Sequence, residues 1–372
     1  MNMRIGFDAK RFFCNKTGLG NYSRNLVQGM CNEYPEIAYY LFTPTIQQLD
    51  NQAIVSQCNV CMPPQKSLAG LWRMAYMVHD IQKCGIDVYH GLSHEIPFGI
   101  HKTNITTVVT IHDFAYKFFK HDFPFIDRQI YDAKWKYACT HSHKIVATSQ
   151  ATKEDIIRFF GINESKIDVI YQSCDDIFRQ KCTEELKQDV REKYNLPDTF
   201  ILFVGSVTSR KNVYSLVQAY EKIQLQADIP LVICGRGGAY RNSLIEYVHE
   251  KNLQTQVLFL DTVETIDLPA LYQSAQLSVY PSNYEGFGIP VLESLAGGTS
   301  VVTSNRSCLP EVGGDAAFYC NPDSIESIAD AILTALHHSS DSSVQEKNYA
   351  QAAKFSQEQF IKQNMAVYRN IR

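Results

Sequence analysis

Tyr280-Pro-Ser-Asn-Tyr-Glu285-Gly286-Phe287-Gly288-Ile289-Pro290-Val-Leu-Glu293-Ser294 decides how the rest of the chain is read. The apolar run Leu277–Tyr280 that leads into it reads as a buried strand. Pro290 suits the first turn of a helix, where its missing N–H would have no intrahelical partner, so a helix is expected to begin near Gly288. Gly286 and Gly288 let the backbone approach a ligand closely. The amides of Phe287, Gly288 and Ile289 then face outward at the positive end of the helix dipole, a natural place for phosphate. Glu293 falls about one helical turn further on and is expected to look back at the same pocket, where it accepts hydroxyl hydrogens. Glu285 sits in the loop, beside whatever is joined to the phosphate. The plainer reading of the same residues is a glycine-rich helix entry with two surface carboxylates.

Outward from this segment, short apolar runs alternate with amphipathic stretches. Toward the C-terminus, strands are expected at Phe200–Val204, Leu231–Cys234, Val257–Leu260 and Ser300–Thr303, besides Leu277–Tyr280. Toward the N-terminus they are expected at Met3–Phe7, Tyr39–Phe42, Val88–His90, Ile105–Ile111 and Lys144–Thr148. Helices are expected at Gly20–Tyr34 and around 67–84, 125–140 and 150–160. This is the rhythm of parallel sheets covered by helices. A polar stretch, Phe178–Lys193, separates the two runs and reads as a linker. The expected domains are 1–180 and 195–354. A final amphipathic helix, 355–372, has Phe360, Met365, Val367 and Tyr368 as anchors.

Three further motifs lie at the ends of strands, where open α/β sheets bind ligands. Gly205-Ser-Val-Thr-Ser-Arg210-Lys211-Asn212 follows Phe200–Val204. Two adjacent cations there can neutralise a diphosphate and the charge that grows on it as it leaves; the alternative is a pair of solvated surface cations. Thr17-Gly18-Leu-Gly20-Asn-Tyr22 lacks the third glycine of a dinucleotide fingerprint, with Ser23 in its place, and reads instead as a glycine loop opening a helix. His112, in Thr110-Ile-His112-Asp113, sits at a strand's carboxyl end and suits a sugar hydroxyl. Its alternative is a structural histidine paired with Asp113.

Composition removes several classes. Of 372 residues, 45% are hydrophobic and 20% charged, which excludes disordered and fibrous chains. A net charge of −4 is too mild for a nucleic-acid binder. The eleven cysteines include one C-x-x-C, Cys58 and Cys61, with no second pair and no histidine at zinc spacing, so they read as reduced thiols. The start of the chain reads as a strand and not a signal peptide, and no run approaches the ~20 apolar residues of a spanning helix. A cytoplasmic protein is expected.

Together these motifs resemble the retaining glycosyltransferases of family 4, which have the GT-B fold. The Glu285–Glu293 block, with seven residues between the two acids, carries the resemblance most specifically. Val301-Val-Thr-Ser-Asn305, Leu309-Pro-Glu-Val-Gly-Gly-Asp315, Thr148-Ser149 and Arg210-Lys211-Asn212 extend it. The N-terminal Ile5-Gly-Phe-Asp8-Ala-Lys-Arg11 and Thr17–Tyr22 resemble the bacterial mannosyltransferase-like branch. The resemblance implies an α/β GT-B fold, with two Rossmann-like domains whose parallel sheets face a central cleft. It places the acceptor largely on the N-terminal domain, onto which the final helix returns, and the nucleotide sugar on the C-terminal one. It implies that Glu293 binds the ribose, that Arg210 and Lys211 bind the diphosphate, and that Glu285 meets the donor sugar with help from Phe287, Gly288 and Ile289. It also implies that His112 contacts the donor sugar near the reacting carbon, and that Gly18 and Gly20 close over the phosphates. No metal and no cofactor is expected. The donor is a nucleotide-diphosphate sugar, with GDP-mannose the first choice, and the acceptor a glycan or lipid-linked saccharide.

Two segments mix aromatic and basic residues and read as candidate contacts with the inner face of the cell membrane: 66–77, with Lys66, Trp72 and Arg73, and 114–137. Their alternative is plain packing on the N-terminal sheet. Asp261, Cys308 and Tyr280-Pro-Ser-Asn-Tyr284 depart from the family's commonest residues. Rival readings are a nucleotide-sugar epimerase, a non-catalytic sugar-nucleotide-binding subunit and, more distantly, a nicotinamide dehydrogenase.

Overall fold

The structure, a computed structural model, describes residues 3–47, 52–65, 69–339 and 341–371. Lys66 and the start of the helix expected from 67 lie outside the described residues. The chain forms two compact units. The first runs to Ser173 and takes back the last helix, Gln357–Asn370; the second is Cys174–Ser356. The stretch 178–193, expected as a linker, belongs to the second unit and contains the helix Glu184–Lys193, capped by the Thr183 side chain on the Leu186 amide.

The first unit is a seven-stranded sheet: β1 (Arg4–Asp8), β2 (Ala38–Phe42), β3 (Asn59–Cys61), β4 (Val88–Gly91), β5 (Thr106–Ile111), β6 (Lys144–Ala147) and β7 (Ile167–Val169). The order is β3-β2-β1-β4-β5-β6-β7 and every pairing is parallel. Central strands such as β4 are buried along their length, as a sheet covered on both faces requires. Ile5, Phe7, Val88 and Val108 share a core with Leu26 and Met30 of the helix Gly18–Glu33. Phe360, Ile361, Met365 and Tyr368 of the last helix complete that core. A Cβ at Gly29 would lie 2.4 Å from the Ile361 side chain, so glycine there lets the two helices approach.

The second unit is a six-stranded sheet: β8 (Ile201–Val204), β9 (Leu231–Cys234), β10 (Val257–Leu260), β11 (Leu277–Tyr280), β12 (Ser300–Ser304) and β13 (Phe318–Cys320). Its order is β10-β9-β8-β11-β12-β13, again parallel throughout. The chain winds outward in both directions from β8 and β11, so their boundary is the topological switch point. There the loops after neighbouring strands part, and a crevice opens beyond the strands' carboxyl ends. In the first unit the same point falls between β1 and β4.

Candidate active site

The loops that follow β8 and β11 are the two motif loops of the sequence. After β8 the chain passes through Gly205 to the 3₁₀ turn Ser209–Lys211, and Asn212 takes a left-handed conformation (φ 57°) before the helix Val213–Ala227. After β11, residues 281–288 lead into the helix Ile289–Ala296. Gly288 holds φ 101° at its N-cap, and Pro290 lies in its first turn. A side chain at Gly288 would be strained by that φ and would meet Leu309 at 2.8 Å. Val291 and Leu292 donate to the Gly288 carbonyl. The amides of Gly288 and Ile289 thus stand ahead of the helical ladder with no intrahelical partner.

The switch point brings Arg210, Lys211 and Glu285 together. Glu285 pairs with Arg210 at 2.6 Å and with Lys211 at 2.5 Å, and it is 8% exposed, so it is no surface carboxylate. Burial alone would raise its carboxyl, but the charges of Arg210 and Lys211 overcome it and hold the group down to about 2. Burial, with Arg210 alongside, pulls the Lys211 ammonium below its ordinary value, against the opposing pull of Glu285. One carboxylate faces two cations, so these three side chains carry excess positive charge. The loops are also tied through the backbone. Arg210 donates to the Tyr284 carbonyl at 2.8 Å, and the Asn283 amide donates to the Arg210 carbonyl at 2.9 Å.

Glu293 is 9% exposed on the helix Ile289–Ala296. The Tyr272 hydroxyl donates to its Oε2 at 2.9 Å and accepts from Tyr280 at 3.1 Å. Burial lifts the Glu293 carboxyl to about 7, with Asp175 adding to the rise and Tyr272 and Lys211 opposing it. Four neighbours of the two acids were not legible as site residues: Tyr272, Tyr280, Ser307 and Cys308. The Glu285 carbonyl accepts from Ser307 Oγ at 2.6 Å and Cys308 Sγ at 3.2 Å, which fixes the loop from its far side. Cys308, noted only as a departure from the family pattern, thus has a positional role. Asp261, another departure, pairs with Arg241 at 2.5 Å.

In the first unit, His112 follows β5 and is buried. Its Nε2 lies 2.8 Å from the Leu92 carbonyl, which fixes that nitrogen as a donor, and the ring meets Tyr22 edge-on at 4.6 Å. Burial lowers its pKa to about 4, so the imidazole is neutral at physiological pH. Asp113 turns instead to the Ala115 amide, at 2.9 Å. Gly18 and Gly20 form no loop ahead of the helix; they are its first turn, since the helix runs Gly18–Glu33. Asn15 Oδ1 accepts the Gly20 amide at 3.1 Å, and a Cβ at Gly20 would collide with the Asn15 carbonyl at 1.8 Å. A Cβ at Gly18 would meet nothing within 4 Å among the described residues.

Of the aromatic-basic segments, much is packed inside. Trp72, Phe114, Tyr116 and Trp135 are buried. Arg73, carried on a π turn (Trp72–Tyr76), pairs with Asp8 at 2.6 Å and Glu95 at 2.7 Å. Phe125, Ile126 and Ile130 on the helix Phe125–His141 are exposed, as are Lys120 and Lys136.

Comparison with known proteins follows the same division. Residues 17–176 match the model of Glycosyltransferase Family 4, and residues 186–354 that of Glycosyl transferases group 1. The chain is 29% identical to O-antigen chain mannosyltransferase B of Escherichia coli, over 99% of this chain and 100% of that one. It is 32% identical to O-antigen chain mannosyltransferase RfbU of Salmonella typhimurium, over 60% and 59% of the two chains. Among solved structures, a glycosyltransferase from Rickettsia africae superposes with a TM-score of 0.79 at 18% identity, covering 100% of this chain and 98% of that one. Anabaena Alr3699/HepE, solved in complex with UDP and glucose, gives 0.75 at 17% identity, with 99% of each chain covered.

Proposed function

Because the chain belongs to the family 4 glycosyltransferases and has the GT-B fold, we propose that it is a retaining, metal-independent mannosyltransferase using GDP-mannose. The acceptor is a glycan or lipid-linked saccharide. The observation that carries this reading is the Arg210–Lys211–Glu285 cluster at the β8/β11 switch point, beside the N-terminus of the helix Ile289–Ala296. A nucleoside diphosphate is already a weakly basic leaving group, so the main catalytic task is to hold charge on its phosphates. Two cations and oriented amides supply that. Glu285 meets the donor hydroxyls and Glu293 the ribose. Among the described residues no carboxylate stands as a clear nucleophile, so the acceptor hydroxyl attacks from the leaving-group face through an oxocarbenium-like state, and the departing phosphate takes its proton. His112 and Gly18 keep the donor-side roles that the family implies. Mannose as the sugar is supported by the name of the full-length relative, an O-antigen mannosyltransferase. A thermal-shift panel of nucleotide sugars, then product analysis with the best donor, tests the reading. GDP-mannose is expected to shift the midpoint most, with GDP released only when a saccharide acceptor is present. Isomerised donor without acceptor would favour an epimerase.

Glu293 adds a pH dependence. Its raised carboxyl favours the folded apo protein below the ordinary glutamate range, and that contribution is lost as pH rises through about 7. Nucleotide binding has the opposite trend, because the ionised form accepts both ribose hydroxyls. Affinity for GDP is expected to strengthen about tenfold from pH 6 to pH 8. Calorimetry of the wild type and Glu293→Gln reads this; the same slope in both would remove Glu293 from the ribose.

We further propose that Phe125, Ile126 and Ile130, with Lys120 and Lys136, rest on an anionic membrane surface. Cosedimentation with phosphatidylglycerol vesicles is expected, lost on Ile126→Asp with Phe125→Ser. Equal partition of both proteins would count against membrane contact.

A further inference from the structure

β3 is the edge strand of the first unit's sheet, and the two thiols of the C-x-x-C lie at its ends. They do not face one another. Cys58 packs toward the helix Gly18–Glu33, where its Sγ lies 3.6 Å from that of Cys31. Cys61 has its Sγ 3.9 Å from that of Cys84, the residue that caps the helix Met77–Lys83. Side chains alternate across a strand, so residues three apart leave by opposite faces. A C-x-x-C whose thiols diverge in this way builds neither a four-sulfur metal site nor its own internal disulfide. It supplies one thiol to each of two partners on either side of the sheet.

We infer that Cys31–Cys58 and Cys61–Cys84 are two sites of reversible thiol oxidation, whose substrate is a low-molecular-weight disulfide and whose product clamps the edge strand from both faces. The sulfurs of a disulfide lie about 2.05 Å apart, so each pair closes by roughly 1.5–2 Å, within reach of a side-chain rotation. All four cysteines are free thiols, and Cys58, Cys61 and Cys84 are partly exposed, which gives each pair a solvent-facing member. The chemistry balances as thiol–disulfide exchange. The thiolate of one cysteine of the pair attacks one sulfur of the external disulfide, whose S–S bond breaks and releases one small thiol. Its partner then attacks the mixed disulfide, forming the intrachain bond and expelling the second small thiol. The two cysteine protons leave on the two small thiols. The protein pair is oxidised by two electrons and the external disulfide is reduced by two. Closing rings between residues 27 and 23 apart restricts the unfolded chain.

The test uses the full chain, oxidised glutathione as the oxidant, alkylation of residual thiols and non-reducing peptide mapping. The expected products are peptides linked Cys31–Cys58 and Cys61–Cys84. Four of the eleven thiols should become protected and be recovered with dithiothreitol, and the thermal midpoint of the oxidised form should rise by roughly 10–20 °C. Cys31→Ser should abolish only the first link and Cys84→Ser only the second. A Cys58–Cys61 link, glutathione adducts that do not resolve, or eleven alkylatable thiols after oxidation would each overturn the inference. The outcome is independent of sugar transfer, since no activity is measured.

Discussion

Lys211→Ala is expected to lower sugar transfer by about 10²–10³ in kcat, the scale set by removing one preorganised group from developing charge. The thermal midpoint should stay close to that of the wild type. The asymmetry follows from the cluster. Lys211 is buried against Glu285, but Arg210 holds the same carboxylate from the other side, so the truncated protein keeps its buried acid paired. The diphosphate loses a compact point charge at the position where charge accumulates as the sugar departs. Lys211→Arg should not restore the rate, because a planar guanidinium does not fit the space of a buried, compact ammonium. Single-turnover assays with GDP-mannose, beside a thermal scan, read both halves. Near-normal turnover in a well-folded Lys211→Ala would remove the lysine from the site.

Glu285→Ala is expected to behave differently, with the loss appearing in stability as well as turnover. Without the carboxylate, Arg210 and Lys211 face each other in a buried site, and breaking such a pairing costs about 3–5 kcal/mol. For a unit of this size the midpoint should fall by roughly 10 °C. A nucleoside diphosphate supplies the missing negative charge. GDP should therefore stabilise Glu285→Ala by more degrees than it stabilises the wild type, although transfer is lost. Dose–response thermal shifts with GDP check this. An unchanged midpoint with no extra stabilisation would mean that the pairing at Glu285 has no energetic part in forming the site.

Both variants rest on residues that could be read in advance. Glu285, Glu293, Arg210 and Lys211 stand out because charged residues after apolar strand runs, beside glycine and proline at a helix entry, have few other uses. Their supports were silent for physical reasons. Tyr272 reaches Glu293 from a neighbouring helix, and Ser307 and Cys308 reach the Glu285 carbonyl from the loop after β12. Neither link leaves a spacing in the chain. The long strands were legible from continuous apolar runs, whereas β3, β7 and β13, at three residues each, are too short for any period to show. The helix Glu184–Lys193 was hidden because only Val190 is buried on it. Its start was marked all the same, by Thr183 as cap with Glu184 and Glu185 in the first turn. Gly20 carried a different lesson: a glycine read as freedom for a ligand is held by the protein's own backbone at Asn15.

The measurement that bears most directly on the central claim is calorimetric titration of GDP into the wild type and into Arg210→Ala/Lys211→Ala. If the cations after β8 cradle a diphosphate, the double variant should bind GDP at least about a hundredfold more weakly, with guanosine, which has no phosphates, bound equally by both. Equal affinity of the two proteins for GDP would contradict the account.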